Sequence, residues 1–148
     1  MSNSILTASL LAWGLAQVSK FFVWRLQRGK FDLRLLVSAG GMPSSHSALV
    51  SALATSVGLQ EGFSSSAFAI SFVLAMIVMY DATGVRRAAS IQAHILNQIL
   101  EELFKGHPIS EKRLRELLGH TPMEVVVGAL MGILVSLIMM GLWFNPAR

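Results

Sequence analysis

Two short segments of this chain place a histidine beside other polar residues at the point where an apolar stretch begins. The first is Gly41–Ser47 (Gly-Met-Pro-Ser-Ser-His-Ser), and the second is Gly119–Val125 (Gly-His-Thr-Pro-Met-Glu-Val). In the second segment His120 and Glu124 are four residues apart, so a helix would place them on one face. A carboxylate that binds one ring nitrogen leaves the other free to attack an electrophile or to carry a proton.

The first segment has the composition of an anion site. Ser44, Ser45 and His46 stand where a helix would begin, and small hydroxyl side chains there leave the backbone N–H groups accessible. The unpaired N–H groups and the helix dipole both stabilise an anion at such a position. Together, the two segments indicate a site that handles phosphate.

Both segments also resemble a known superfamily. Pro43–Ser47 resembles the Pro-Ser-Gly-His signature of type 2 phosphatidic acid phosphatases (PAP2), whose superfamily also contains the vanadium haloperoxidases. His120–Gly128 resembles its His-x-Pro-x-Asp-Val-x-x-Gly block, with glutamate in place of aspartate. Gly40–Pro43 and Tyr80–Arg87 are similar to the small divergent branch of the superfamily. Resemblance to the branch covers most of the chain, whereas resemblance to the characterised phosphatases covers only the two blocks.

The resemblance implies a role for each polar residue of the two blocks. His120 would be the nucleophile that becomes phosphorylated, Glu124 would orient it, and His46 would be the general acid. Ser44 and the backbone near Ser45 would contact the phosphate. The chemistry of the superfamily uses histidine, so it implies neither a cofactor nor a metal ion. The scattered carboxylates and the lack of a His-x3-His pair also argue against a metal site.

The cations for the phosphate must come from elsewhere, because two superfamily motifs are altered. The Lys-x6-Arg-Pro motif is absent, and the arginine expected six residues before His120 is replaced by Leu114. We therefore expect Lys20, Arg86 and Arg87 to bind phosphate, with Asp81 in support, since ionisable groups near apolar spans are costly unless paired or functional. The alternative for Arg86, Arg87 and Asp81 is that they snorkel to the membrane interface or pair with one another. His94 and His107 are predicted to lie on a polar helix face and in a loop.

Composition places the chain in a membrane. Its 148 residues predict a single domain over 1–148, and 53% of them are hydrophobic while only 14% are charged. The mean hydropathy of +0.60 is too apolar for an ordinary soluble domain, although a soluble bundle of very apolar helices is the alternative. The net charge of +4 comes from basic residues that border apolar spans, so it indicates membrane topology and not nucleic-acid binding.

The order of apolar spans predicts an all-α, polytopic membrane helix bundle with a PAP2-like core. We expect four transmembrane spans joined by polar loops. The spans are Ile5–Trp24, Ala48–Leu59, Phe63–Tyr80 and Met123–Phe144. Asp81–Phe104 is predicted to form an amphipathic helix on the cytoplasmic side. All of the 12 Lys and Arg residues except Arg148 lie on one side of the predicted bundle. The positive-inside rule therefore places the basic loops in the cytoplasm and both termini outside.

Two functions remain open from the sequence. One is a membrane-embedded phosphatase that hydrolyses a lipid phosphate or pyrophosphate through a phosphohistidine intermediate. The other is a non-catalytic PAP2-like membrane protein that binds anionic lipid or assists assembly of a membrane complex. In both, the expected partner is an anionic or phosphorylated membrane lipid, and a homo-oligomer or a membrane complex is left open. A transporter is disfavoured because the chain has no evident internal repeat.

Overall fold

The computed structural model describes residues 3–28, 41–103 and 120–143 of the chain. All regular structure in these ranges is α-helical, as the sequence predicts. The five helices are α1 (Ser4–Arg28), α2 (Ser45–Glu61), α3 (Ser66–Thr83), α4 (Val85–Leu103) and α5 (Pro122–Trp143).

Helix α2 lies at the centre of the bundle and packs against α1, α3 and α5. Its contact with α1 is built from alanine: Ala12 and Ala16 of α1 form one buried cluster with Ala48 and Ala52 of α2. Residues four apart lie on the same helix face, so this spacing gives α1 a continuous strip of small side chains. Small side chains let two helix backbones approach closely, which is typical of helix contacts within membranes.

Two hydrogen bonds show that Ser4–Lys20 of α1 runs antiparallel to α2 along nearly the whole of α2. Near its start, the Ser4 hydroxyl donates to Gln60 Oε1 at 2.7 Å. Towards its other end, Lys20 Nζ donates to Ser45 Oγ at 3.2 Å. The polar groups at these two levels are therefore joined across the helix pair.

Helix α5 runs parallel to α2 and approaches it through two glycines. A methyl group on Gly128 would collide with the Ser44 carbonyl, and one on Gly132 would collide with the Ala48 carbonyl. This Gly-x-x-x-Gly spacing brings the two backbones together at the start of α2. Farther along, the buried Ser56 and Ser136 hydroxyls share a hydrogen bond at 2.7 Å.

The third apolar helix begins three residues later than the predicted Phe63. Gly62 ends α2 with a φ of 92°, a conformation that favours glycine, and its N–H donates to the Gly58 carbonyl. The Ser65 hydroxyl then accepts a hydrogen bond from Phe68 N at 3.1 Å and caps α3. Phe63 belongs to the turn because the cap, and not the first apolar residue, determines where the helix starts.

The amphipathic stretch predicted over Asp81–Phe104 is helical, but it is interrupted. Helix α3 ends at Thr83, Gly84 forms a turn, and α4 begins at Val85. The apolar residues that repeat every fourth position on α4, which are Ile91, Ile95, Ile99 and Leu103, are all exposed. Phe104 lies outside the described residues.

Three stretches of the described chain are long and apolar enough to cross a membrane: Ser4–Leu26, Ser66–Leu100 and Pro122–Leu142. Helix α2, with 17 residues, is shorter and is not one of them. Large apolar side chains on the outer faces of α3 and α5, such as Ile77 and Leu130, are more than half exposed. Contact with lipid accounts for that exposure, which would be a liability in water.

Candidate active site

The start of α5 is fixed by two reciprocal hydrogen bonds. The Thr121 hydroxyl accepts from Glu124 N at 3.3 Å, and the Glu124 carboxylate accepts from Thr121 N at 3.1 Å. These two bonds form a capping box, with Pro122 at the first helical position. The same carboxylate oxygen lies 2.9 Å from His120 Nδ1. The cap therefore holds Glu124 in position for the histidine.

His120 is almost completely buried, with 2% of its surface exposed. Its backbone N–H donates to the Ala82 carbonyl at 3.0 Å, which ties it to the last turn of α3. Because a carboxylate only accepts hydrogen bonds, Nδ1 is the donor towards Glu124 in this contact. Nε2 is buried and meets no hydrogen-bond partner within the described residues. In a neutral ring, Nε2 then carries the lone pair that a nucleophile requires.

Serine hydroxyls form a second part of the site at the start of α2. Ser44 Oγ accepts from Ser47 N at 3.3 Å and from Ser47 Oγ at 3.0 Å. These two bonds use both lone pairs of the Ser44 hydroxyl, so its own hydrogen remains to be donated elsewhere. Both side chains are fully buried. The arrangement thus directs one hydroxyl donor into the interior at a helix N-terminus.

Lys20 brings a cation to the same place from α1. Its side chain is 3% exposed, and its ammonium donates to Ser45 Oγ at 3.2 Å. It also interacts electrostatically with the Glu124 carboxylate. An ammonium carries three N–H donors, so the Ser45 bond leaves donor capacity for an anion. A buried ammonium is costly without such partners.

The main chain joins these parts into one cluster. Ser44 N donates to the Glu124 carbonyl at 3.0 Å, which ties the starts of α2 and α5 together. The close approach at Gly128 occurs at the same level. The structure therefore brings five of the candidate residues to one end of the bundle: Lys20, Ser44, Ser45, His120 and Glu124.

The remaining candidates lie on α2, α3 and α4. His46 is half-buried in the first turn of α2, and Asp81 is half-buried beside Ala82 at the end of α3. Arg87 is exposed in the first turn of α4, and the side chain of Arg86 lies outside the described part. A phosphate contact by either arginine stays a prediction.

The histidines that the sequence placed outside the site agree with that placement where they are described. His94 is exposed on α4, whereas His107 and Leu114 lie outside the described residues. Two buried polar residues within one helical turn of the clustered residues are not candidates from the sequence. Ser47 is signalled only by its spacing of three from Ser44, and Gln17 only by its spacing of three from Lys20.

The donor set suits an anion better than a metal ion. Within residues 3–28, 41–103 and 120–143, no group of three or more His, Asp or Glu side chains lies close enough to hold a metal. The cluster instead offers an ammonium, a hydroxyl donor and the N-terminus of α2, which all stabilise negative charge.

Comparison with known proteins gives two matches. The model of the Divergent PAP2 family matches residues 1–135, a range that contains both histidine segments. A protein of Bacillus subtilis (strain 168), named as the uncharacterized membrane protein YuiD, is 44% identical over 150 aligned residues, which cover 94% of this chain and 95% of that protein. No solved structure matches the chain significantly.

Proposed function

This chain belongs to the Divergent PAP2 family of membrane proteins, and from its site we propose that it is a membrane-embedded phosphatase that hydrolyses a lipid phosphate or pyrophosphate. The main support for the proposal is the hydrogen bonding of the His120 imidazole. Its Nδ1 contacts Glu124 at 2.9 Å, and its buried Nε2 is left unpaired in the described part of the chain. A buried imidazole oriented in this way is suited to nucleophilic attack.

The proposed reaction has two steps. His120 Nε2 attacks the phosphorus, an N–P bond forms, and the bond from phosphorus to the leaving oxygen breaks while His46 donates a proton to that oxygen. In the second step water loses a proton to His46 and attacks the phosphorus of the phosphohistidine. The N–P bond breaks, Nε2 regains its lone pair, and inorganic phosphate leaves. The hydrogen bond from Nδ1 to Glu124 stabilises the positive charge that develops on the ring in the first step.

Charge on the phosphoryl oxygens is stabilised by the cluster around the start of α2. Lys20 supplies the buried cation, and Ser44 supplies a hydroxyl donor, while the first backbone N–H groups of α2 add the helix dipole. We assign Arg86 and Arg87 to the outer edge of this cluster, where they would contact the phosphate as it enters, with Asp81 supporting them.

The placement of the two histidines suits an in-line displacement. Ala48 faces α5, because the Gly132 backbone packs on its carbonyl. His46 is two residues earlier, which is about 200° around the helix, so it projects from the side of α2 opposite α5. The nucleophile and the general acid would then approach the phosphorus from opposite sides, as an in-line displacement requires.

For the membrane arrangement, we propose that α2 crosses the bilayer as a fourth span, with the site and the basic loops in the cytoplasm and both termini outside. Support comes from the pairing of α2 with α1 between the Ser4–Gln60 and Lys20–Ser45 levels. A helix that pairs along nearly the whole of a spanning neighbour passes through the same depth of lipid.

Thiol labelling tests this topology, since the chain has no native cysteine. Cysteines at Gln27 and Ser110 should resist an impermeant reagent in intact cells, while one at Ala147 should react. All three should react in opened membranes, which controls for access. Reversed labelling in intact cells would place the site on the other face.

The alternative function is a non-catalytic protein that binds anionic lipid or assists assembly of a membrane complex. The absence of Lys-x6-Arg-Pro and the exposure of Arg87 favour it. Phosphate release from a panel of lipid phosphates and pyrophosphates, by purified protein in bilayers, separates the two functions. Release supports the phosphatase. No release on any member, together with anionic-lipid binding that Arg87→Ala removes, supports the alternative.

A further inference from the structure

One stripe of α2 differs from the rest of that helix. Between Ser45 and Gly58 only four side chains of α2 are half-buried and the rest are buried. Three of the four, His46, Leu49 and Leu53, lie on one side of the helix, and Thr55 lies on the opposite side. Residues spaced by three and by seven share one helix face, so these three form a continuous stripe that starts at the site. We refer to them as the α2 stripe.

The α2 stripe lies between two neighbouring helices. On one side of it α2 contacts α1, through Ser45 and Ala52. On the other side α2 contacts α3, through Val50 and Ala54. Within the described residues α1 and α3 do not contact each other. The α2 stripe is therefore the floor of a groove whose walls are α1 and α3.

The groove joins the candidate phosphate site to the interior of the membrane. At one end of the groove lies His46, next in sequence to Ser45 of the Lys20–Ser45 pair. Leu49 and Leu53 line the rest of the groove. The polar, cationic end of the groove suits the phosphate head group of a lipid phosphate, and the apolar part suits its hydrocarbon chain. The general acid must reach the oxygen that links the phosphate to the lipid, and His46 stands where the two parts would meet.

We infer that the α2 stripe binds the hydrocarbon chain of the substrate, so that a lipid phosphate enters sideways between α1 and α3 with its head group against Lys20. The inference rests on the proposed function, because it assumes that the phosphate binds at the start of α2. It assigns the substrate to molecules with at least one long alkyl or isoprenoid chain. Recognition then depends on chain contact at Leu49 and Leu53 as well as on the head group.

Binding of two phosphonates tests the groove without requiring turnover. Purified protein in phosphatidylcholine nanodiscs is titrated with dodecylphosphonate and with methylphosphonate. Leu53→Trp should lower the affinity for dodecylphosphonate roughly tenfold or more, which is the scale expected when a larger side chain overfills an apolar contact. The affinity for methylphosphonate should not change. Leu49→Trp should act in the same way. Leu134→Trp is the matched control, since Leu134 is exposed on the outer face of α5, and it should change neither affinity.

Cross-linking provides a second measurement on the unmodified chain, in case the tryptophan variants fold poorly. A dodecylphosphonate with a diazirine near the middle of its chain should label Leu49, Leu53 or the α1 and α3 walls, and excess dodecylphosphonate should prevent it. Labels spread evenly over the outer faces of α3 and α5 would overturn the inference.

The other outcomes are equally decisive. Unchanged dodecylphosphonate affinity in both tryptophan variants would overturn the inference that the groove binds the lipid chain. If the wild-type protein is a dimer and Leu53→Trp dissociates it without changing phosphonate affinity, the groove is a contact between two copies of the chain, which would also overturn the inference. If wild-type protein binds neither phosphonate, the inference fails together with the phosphate site. If it binds dodecylphosphonate in a Leu53-dependent way but releases no phosphate from lipids, the groove stands and the catalytic proposal fails.

Discussion

Two polar clusters are buried between α2 and α5, and they differ in how completely they are hydrogen-bonded. Near the end of α2, the Ser56 and Ser136 hydroxyls bond to each other at 2.7 Å and are fully buried. At the other end, His120 keeps an unpaired Nε2 within the described chain, and the Ser44 hydroxyl and the Lys20 ammonium keep unused donors. The first cluster is closed, whereas the second retains capacity for a ligand.

This difference distinguishes polar residues that stabilise the fold from polar residues that bind a ligand. A buried polar group without a partner is costly, particularly in lipid, so a helix bundle keeps one only where something binds. The Ser56–Ser136 pair fulfils the role of an ordinary interhelical hydrogen bond. The described residues offer no such explanation for the cluster at Lys20 and His120. Substitutions in the two clusters should therefore affect different properties.

The largest effect is expected from His120→Ala. It should abolish phosphate release from a lipid phosphate, because no other group at that position can accept the phosphoryl group. Ser136→Ala is the matched control, being a small change on α5 at the closed cluster, and it should retain activity. Full activity in His120→Ala would show that the nucleophile is another residue.

His46→Ala should have the next largest effect. Loss of a positioned general acid typically slows turnover by about 10²–10⁴-fold. The loss should shrink for a substrate with an aryl leaving group, which departs without protonation. Comparison of kcat for an alkyl and an aryl phosphate measures this difference. Equal losses on both substrates would rule out the acid role.

Lys20→Met should weaken phosphate binding more than it changes stability. A hydrogen bond to a charged group contributes about 1.5–3 kcal/mol, so affinity for inorganic phosphate or vanadate should fall roughly 10- to 150-fold. Thermal stability should change less, because the Glu124 carboxylate keeps its contacts with His120 and Thr121 when the ammonium is removed. The inhibition constant for vanadate measures the first effect and a melting curve the second. A variant with unchanged vanadate inhibition would remove Lys20 from the site.

Much of this arrangement is readable from the sequence because it depends on local patterns. The capping box at Thr121 and Glu124, and with it the pairing of Glu124 with His120, follows from residues within one helical turn. Hydropathy predicts the start of the third apolar helix at Phe63, because it does not reveal the serine cap at Ser65. The amphipathic pattern does not predict the break at Gly84 between α3 and α4.

What the sequence could not provide is the pairing between distant helices. Lys20 was a candidate cation, but its bond to Ser45 joins residues 25 positions apart along the chain. The groove along Leu49 and Leu53 exists because α1 and α3 flank α2 without touching in the described residues, which no local pattern encodes. Ser56 and Ser136 read as isolated polar residues in apolar spans until the two helices are placed side by side.

The smallest effect is expected at that closed pair. Ser56→Ala and Ser136→Ala should each lower stability by about 0.6 kcal/mol, the average for an interhelical hydrogen bond within a membrane protein. The cost is small because a serine left alone in a helix can donate to the carbonyl four residues earlier. A double-mutant cycle on unfolding free energies measures the coupling. If the two hydroxyls interact only with each other, the double variant should lose about as much stability as either single variant. Phosphate release should stay at the wild-type rate in all three variants. A loss of activity comparable to that of Lys20→Met, at unchanged stability, would show that the Ser56–Ser136 pair also takes part in function. The proposed difference between the two clusters would then be wrong.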